Sequence, residues 1–168
     1  SSEAAGEAAR KAARPEDPGR VWYHFAGIGG SGMSGLAQFH ALAGGKVTGS
    51  DRAFDQGQHR DIRTGLESLG IVILPQDGGF PGAGRKCAAV VVSTAVEDRV
   101  PDIAVAREKG IPVLHRSELL ARYVTAHRTI AVTGTSGKST VTAMVYTILD
   151  ACGLNPGLLT GGPVASLV

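Results

Sequence analysis

The chain has 168 residues, of which 43% are apolar and 24 are glycine, with 17 Lys and Arg set against 15 Asp and Glu. That apolar content with near-balanced charge excludes an intrinsically unfolded chain and a nonspecific nucleic-acid binder, and no apolar run approaches the ~18 residues that a membrane helix requires. Cys87 and Cys152 are too few for a disulfide scaffold, have no Cys/His partner at zinc spacing and read as buried thiols, and with no apolar signal segment a cytoplasmic location is expected.

Residues 1–20, rich in Ala, Glu, Arg and Lys and closed by RPEDPG, read as a flexible tail, because two prolines and a glycine stop any helix. From Val21 short apolar runs alternate with helix-length stretches. Strands are expected at 21–27, 46–50, 71–74, 88–93, 111–114 and 129–134, and helices at 32–44, 58–69, 101–109, 116–124 and 138–152. Strands that are continuously Val, Ile and Leu are covered on both faces, so the fold class is α/β, a Rossmann-like parallel sheet with flanking helices. After five strands, a further strand, glycine turn and helix begin. A boundary is therefore expected near residue 126, separating a nucleotide-binding domain at 21–125 from residues 126–168. The latter supply about one βαβ unit, too little to enclose a core, and read as the opening of a larger domain in a longer protein.

The stretch GIGGSGMSG places Gly27, Gly29 and Gly32 at G-x-G-x-x-G spacing between a strand and a helix. Gly27 permits the tight turn, Gly29 lets backbone approach a diphosphate, and Gly32 allows close helix–strand packing. The N–H groups near Ser31 to Ser34 would face the anion. Asp51, 24 residues beyond Gly27, is placed to accept from a ribose or, alternatively, to cap the next turn. Ser93 and Thr94 follow the fourth strand at the sheet edge where ligands bind; they can contact phosphate or sugar, or cap their turn. NAD, FAD and UDP-sugars all suit such a loop, although the additional Gly30 reduces its bulk.

The second glycine loop is more specific. TIAVTGTSGKST puts Gly134, Gly137, Lys138 and Ser139 between an apolar strand and a helix, which is the setting of a phosphate-binding loop. Amides of Thr135 to Lys138 would cradle phosphates, Lys138 would pair with the β and γ oxygens, and the Ser139 hydroxyl would ligate Mg²⁺. Only Thr135 and Ser136 separate the glycines, fewer than in the common form of the motif. One loop suited to a diphosphate and one suited to a triphosphate with metal define a two-substrate enzyme.

With these loops, the stretches HFAGIGGSGMSGLA, GSD, VVSTAV, GIPVLHRSELLA and IAVTGTSGKST resemble the Mur ligase family in order and spacing, from about residue 22 to 168, and in particular the branch that attaches the first amino acid of the peptidoglycan stem peptide. The resemblance implies that the first domain binds the UDP part of UDP-N-acetylmuramate. Gly27, Gly29, Gly30, Ser31, Gly32 and Met33 would hold the diphosphate, Asp51 the uridine side, and Ser93 and Thr94 other parts of the substrate. It implies ATP at Gly134, Thr135, Ser136, Gly137, Lys138, Ser139 and Thr140, with Lys138 catalytic and Ser139 on Mg²⁺. The implied reaction phosphorylates the muramoyl carboxylate, and an amino acid amine then attacks the acyl phosphate. Ser136 stands where the family usually has His, and Gln76 and Asp77 where it has a Gly-His pair, so the acceptor stays open between L-alanine, another amino acid and a peptide. The isolated chain is expected to be inactive. The rival readings are a non-catalytic nucleotide-binding module and an NAD-dependent Rossmann domain with Asp51 on the adenosine ribose. His24, His40, His59 and His127 read as structural or solvated, and His115 and Arg116 either line the cleft or serve as caps and interdomain contacts.

Overall fold

The computed structural model describes residues 21–80, 87–94 and 100–160; the tail expected at 1–20 lies outside them. The elements are β1 (Trp22–Ala26), α1 (Ser31–Leu42), β2 (Lys46–Ser50), α2 (Arg52–Asp55), α3 (Arg60–Ser68), β3 (Val72–Leu74), β4 (Ala89–Val92), α4 (Pro101–Glu108), β5 (Val113–His115), α5 (Arg116–Ala126) and α6 (Lys138–Ala151). The five strands form one sheet in the order β3-β2-β1-β4-β5. Every pairing is parallel. This is the doubly wound α/β architecture expected from the apolar runs.

All five residues of β1 are buried, as a central strand covered on both faces requires. Alternation divides them. Tyr23 and Phe25 join Met33, Leu36 and Ala37 of α1, Leu66 of α3, and Leu119 and Tyr123 of α5 in one core. Trp22 and Ala26 join Phe80, Val90 and Ala106 of α4 in the other. His40 fastens the first layer: its Nε2 donates to the carbonyl of Val21 at 2.8 Å, and its Nδ1 meets the Tyr123 hydroxyl. Cys87 is buried, which pushes its thiol pKa up and keeps it inert.

Two expectations change beyond this sheet. Residues 128–133 are in no strand, because the run expected at 129–134 has no neighbour in the described sheet to complete a ladder. Helix α6 forms as expected but buries none of its residues, and Val141, Met144 and Ile148 lie exposed. Cys152 is likewise exposed, because it closes this uncovered helix. The chain then returns to α1, where Leu159 packs against the first core and a Cβ at Gly157 would lie 3.1 Å from the Phe39 ring.

Candidate functional site

In the order β3-β2-β1-β4-β5 the chain winds outward from β1 in one direction and from β4 in the other, so the connections part at the carboxyl ends of β1 and β4. Such a switch point opens a crevice for ligand. The loop at 27–30 leaves β1 there, Ser93 and Thr94 leave β4, Asp51 follows β2, and His115 ends β5 with Arg116 opening α5.

Gly27 has φ 76°, a left-handed value that glycine adopts freely. The N–H groups of Gly27 and Ile28 both donate to the Ser50 carbonyl, at 2.8 and 3.0 Å, which ties the turn to β2. Helix α1 then starts at Ser31 with Gly30 as its cap residue, no side-chain cap and no acid in its first turn. The N–H groups of Ser31 and Gly32 therefore bond to no acceptor among the described residues. Free amides at the positive end of a twelve-residue helix favour an anion. Met33 differs from its neighbours. Its side chain is buried in the first core and its N–H donates to the Gly30 carbonyl at 2.9 Å, so it supports the loop from below and offers no group to a ligand.

Asp51 acts on the loop itself. Its Oδ1 accepts from the Ala53 N–H at 2.9 Å, capping α2, and its Oδ2 accepts from the Gly29 N–H at 2.8 Å. A Cβ at Gly29 would lie 2.8 Å from that oxygen and 3.0 Å from the Phe54 ring, so this glycine is required by the protein's own packing. Asp51→Ala is expected to cost about 1–2 kcal/mol in urea denaturation, because a cap and a charge-assisted bond are lost together. Asp51→Asn, which retains one accepting oxygen, should lose about half as much. Ser93 is half-buried and Thr94 exposed. Neither side chain has a bonding partner among the described residues, so both hydroxyls remain available.

Beneath the crevice lies a polar network that the sequence did not reveal. His24 and Asp102 are both fully buried, with His24 Nε2 3.3 Å from Asp102 Oδ2. Trp22 Nε1 donates to Thr48 Oγ1 at 3.0 Å, and that hydroxyl lies 2.9 Å from His24 Nδ1. Ser50 Oγ donates to Asp102 Oδ2, and the Gly78 N–H donates to Oδ1 at 2.9 Å. Burial alone would raise the Asp102 pKa, but these hydrogen bonds and the charge on His24 more than offset it and hold the carboxyl below its usual range. Ser50 also supplies the carbonyl that anchors Gly27, so the network sets the floor of the glycine loop. The available signal was VPD, a proline at the first helical position followed by an acid at the positive end of α4.

In the second loop Gly134 has φ 151° and Gly137 φ 76°, backbone that other residues rarely adopt. Lys138 opens α6, and its Nζ donates to the Gly134 carbonyl at 2.7 Å. Thr135, Ser136, Ser139 and Thr140 are exposed around it. The strand that would precede this loop is unpaired, but the loop and helix are formed.

Residues 22–128 match the Mur ligase family, catalytic domain. The chain belongs to the Mur ligase family. Among relatives, it is 40% identical over 154 residues to the UDP-N-acetylmuramate–L-alanine ligase of Clavibacter michiganensis subsp. michiganensis, covering 91% of this chain and 30% of that one. It is 42% identical over 147 residues to the enzyme of the same name from Variovorax paradoxus, covering 85% and 28%. Among solved structures, the UDP-N-acetylmuramate-alanine ligase of Thermotoga maritima superposes with a TM-score of 0.73 at 31% identity, over 88% of this chain and 33% of that one. A Neisseria ligase named for UDP-N-acetylmuramate and L-alanyl-gamma-D-glutamyl-meso-diaminopimelate gives the same TM-score at 28% identity, over 88% and 44%. The chain thus spans about a third of the length of the Mur ligases it matches. Among the described residues no helix is long and apolar enough to cross a membrane.

Proposed function

We propose that this chain carries the UDP-substrate site and the ATP-binding loop of an ATP-dependent ligase of peptidoglycan synthesis, acting in the cytoplasm, with residues 21–125 binding UDP-N-acetylmuramate and residues 126–168 opening the ATP-binding domain. The observation that carries this reading is the pairing, in one Mur ligase chain, of two glycine loops that each lead into a helix: one beside free α1 amides, the other with Lys138 at its mouth. The reaction would transfer the γ-phosphoryl of ATP to the muramoyl carboxylate, and the acceptor amine would displace phosphate to form the amide.

The residues of the second loop fit ATP. Gly134 and Gly137 hold backbone that lets amides converge, and Lys138 Nζ, now on a loop carbonyl, would turn to the β and γ oxygens. When bound, Mg²⁺ neutralises phosphate charge. From this chain Ser139, exposed beside Lys138, would hold it. L-Alanine is the acceptor in the names of both relatives above. A peptide acceptor is the second reading, supported by the equal structural likeness to the Neisseria ligase.

Calorimetric titration tests the reading. The chain should bind UDP-N-acetylmuramate in preference to NAD, and, with the α6 face bare, the same preparation should form no amide from ATP, UDP-N-acetylmuramate and alanine. Preferential NAD binding would replace this reading with the oxidoreductase one; amide product would refute the expected inactivity.

A further inference from the structure

Gly35 lies inside α1, where glycine weakens a helix relative to alanine and where no turn or left-handed backbone calls for it. Its neighbours supply the reason. A Cβ at Gly35 would stand 3.6 Å from Leu159 Cδ1 and 3.6 Å from the Thr160 carbonyl oxygen, so a methyl would just touch the returning chain and a longer side chain would displace it. One helical turn further on, a Cβ at Gly157 would stand 3.1 Å from the ring of Phe39, and that ring is itself held edge-on to Tyr123 of α5 at 5.0 Å. Residues 157–160 therefore lie against one face of α1, with Leu159 over the bare backbone of Gly35 and Phe39 over that of Gly157.

This contact fastens the second glycine loop. Among the described residues beyond Tyr123, Leu159 is the one that packs against either core, and none of α6 does so. A fourteen-residue helix is marginal in water by itself, so α6 depends on its attachment. It closes through Gly153, at φ 71°, whose N–H donates to the Asp150 carbonyl at 2.8 Å, and Asn155, at φ 46°, turns the chain back toward α1. One short turn thus joins the seat on α1 to a helix that carries Lys138 at its other end, about 20 Å away at the usual helical rise. The seat also borders the first cleft. Gly35 follows Ser31 and Gly32 by four and three residues and shares their helix face, and a helical Cβ tilts toward the N-terminus. Leu159 therefore covers the turn that leads to the free α1 amides.

We propose that residues 157–160 form a strap that holds α6 and its phosphate-binding loop on α1, and that filling the first cleft steadies this strap. The second part rests on the reading that the cleft takes a UDP-sugar. A ligand that stiffens the first turn of α1 stiffens the surface on which Leu159 rests, and by linkage a seated strap strengthens that ligand's binding by the same factor.

Hydrogen exchange over residues 138–160 of the 168-residue chain, with and without UDP, tests both parts. Leu159→Asp and Gly35→Leu should each speed exchange there several-fold and leave β1 and β4 protected. Leucine nearly equals alanine in helix propensity, so Gly35→Leu obstructs the seat without weakening α1, whereas Gly35→Ala, whose methyl fits, should leave exchange unchanged. UDP should slow exchange over 138–160 about 5-fold in the unmodified chain but not in Gly35→Leu, which should bind UDP more weakly by a like factor. Exchange that is the same in Leu159→Asp, Gly35→Leu and the unmodified chain overturns the strap. Exchange that answers to these variants but not to bound UDP overturns the coupling and upholds the strap. A chain that binds no UDP removes the UDP-sugar reading and the coupling with it, and the variants alone then decide the strap.

Discussion

Replacing Asp102 with alanine should cost about 3–5 kcal/mol of folding stability, because it strands a buried histidine that has lost its charged partner. The carboxylate gathers His24 from β1, Ser50 from β2 and the Gly78 amide that follows β3, and all three lose their acceptor together. Urea denaturation of the chain measures the loss, and a cost under about 1 kcal/mol would show that the network is dispensable. The same group sets a pH dependence. Its folded pKa is lower than its unfolded one, so its stabilisation is complete above the unfolded value and is lost as pH falls through the folded value. Stability should therefore decline on acidification below about pH 4. Asp102→Asn should flatten that part of the profile, since an amide does not titrate; an unchanged slope would assign it to other carboxylates. The site shares in the effect. Ser50 links this network to Gly27 and Ile28, so UDP-sugar affinity should weaken along with stability.

The sheet was legible in the sequence because strands buried on both faces carry their own signal: AVVV is apolar throughout, WYHFA is so but for His24, and both lie in the parallel sheet. The first glycine loop was legible because a strand-to-helix turn limits which residues fit, and the second because positive-φ backbone ahead of a helix calls for glycine. What sequence distance conceals is which partner each polar group meets. His24 seemed unpartnered because Asp102 lies 78 residues away, and Arg116 reaches Gly32 only once β5 is laid beside β4. Asp51 showed its place after β2 but not its donors, two backbone amides. Met33 could have been assigned to the core from periodicity, since Met33, Leu36, Ala37 and His40 recur at helical spacing and all are buried. The run at 129–134 has strand composition, but composition supplies no ladder partner.

A methyl group added at Gly49 should be felt both in stability and at the ligand site. Gly49 lies in β2 in register with Phe25, where its Cβ would stand 2.5 Å from Cδ1, 2.9 Å from Cβ and 3.1 Å from Cγ1 of Ile28. Ile28 is fully buried, and two of these atoms lie close to its backbone, so rotating the end of the side chain cannot relieve the clash. Alanine would by itself favour the strand by about 0.5–1 kcal/mol over glycine, so any net loss must come from overpacking. Overpacking at its upper range leaves Gly49→Ala about 2–3 kcal/mol less stable in urea denaturation. Ile28 follows Gly27 and donates its N–H to the Ser50 carbonyl at 3.0 Å, so pushing it outward shifts the loop that leads into the free α1 amides. UDP-sugar affinity should fall more in Gly49→Ala than in a core variant of equal stability loss remote from the loop, such as Ala106→Gly on α4. Ile28→Val, which removes the Cδ1 methyl, should restore part of both losses when combined with Gly49→Ala, a coupling that a double-mutant cycle reads directly. Strictly additive effects would mean that β2 yields instead of Ile28, and that the glycine in this strand does not fix the loop above it.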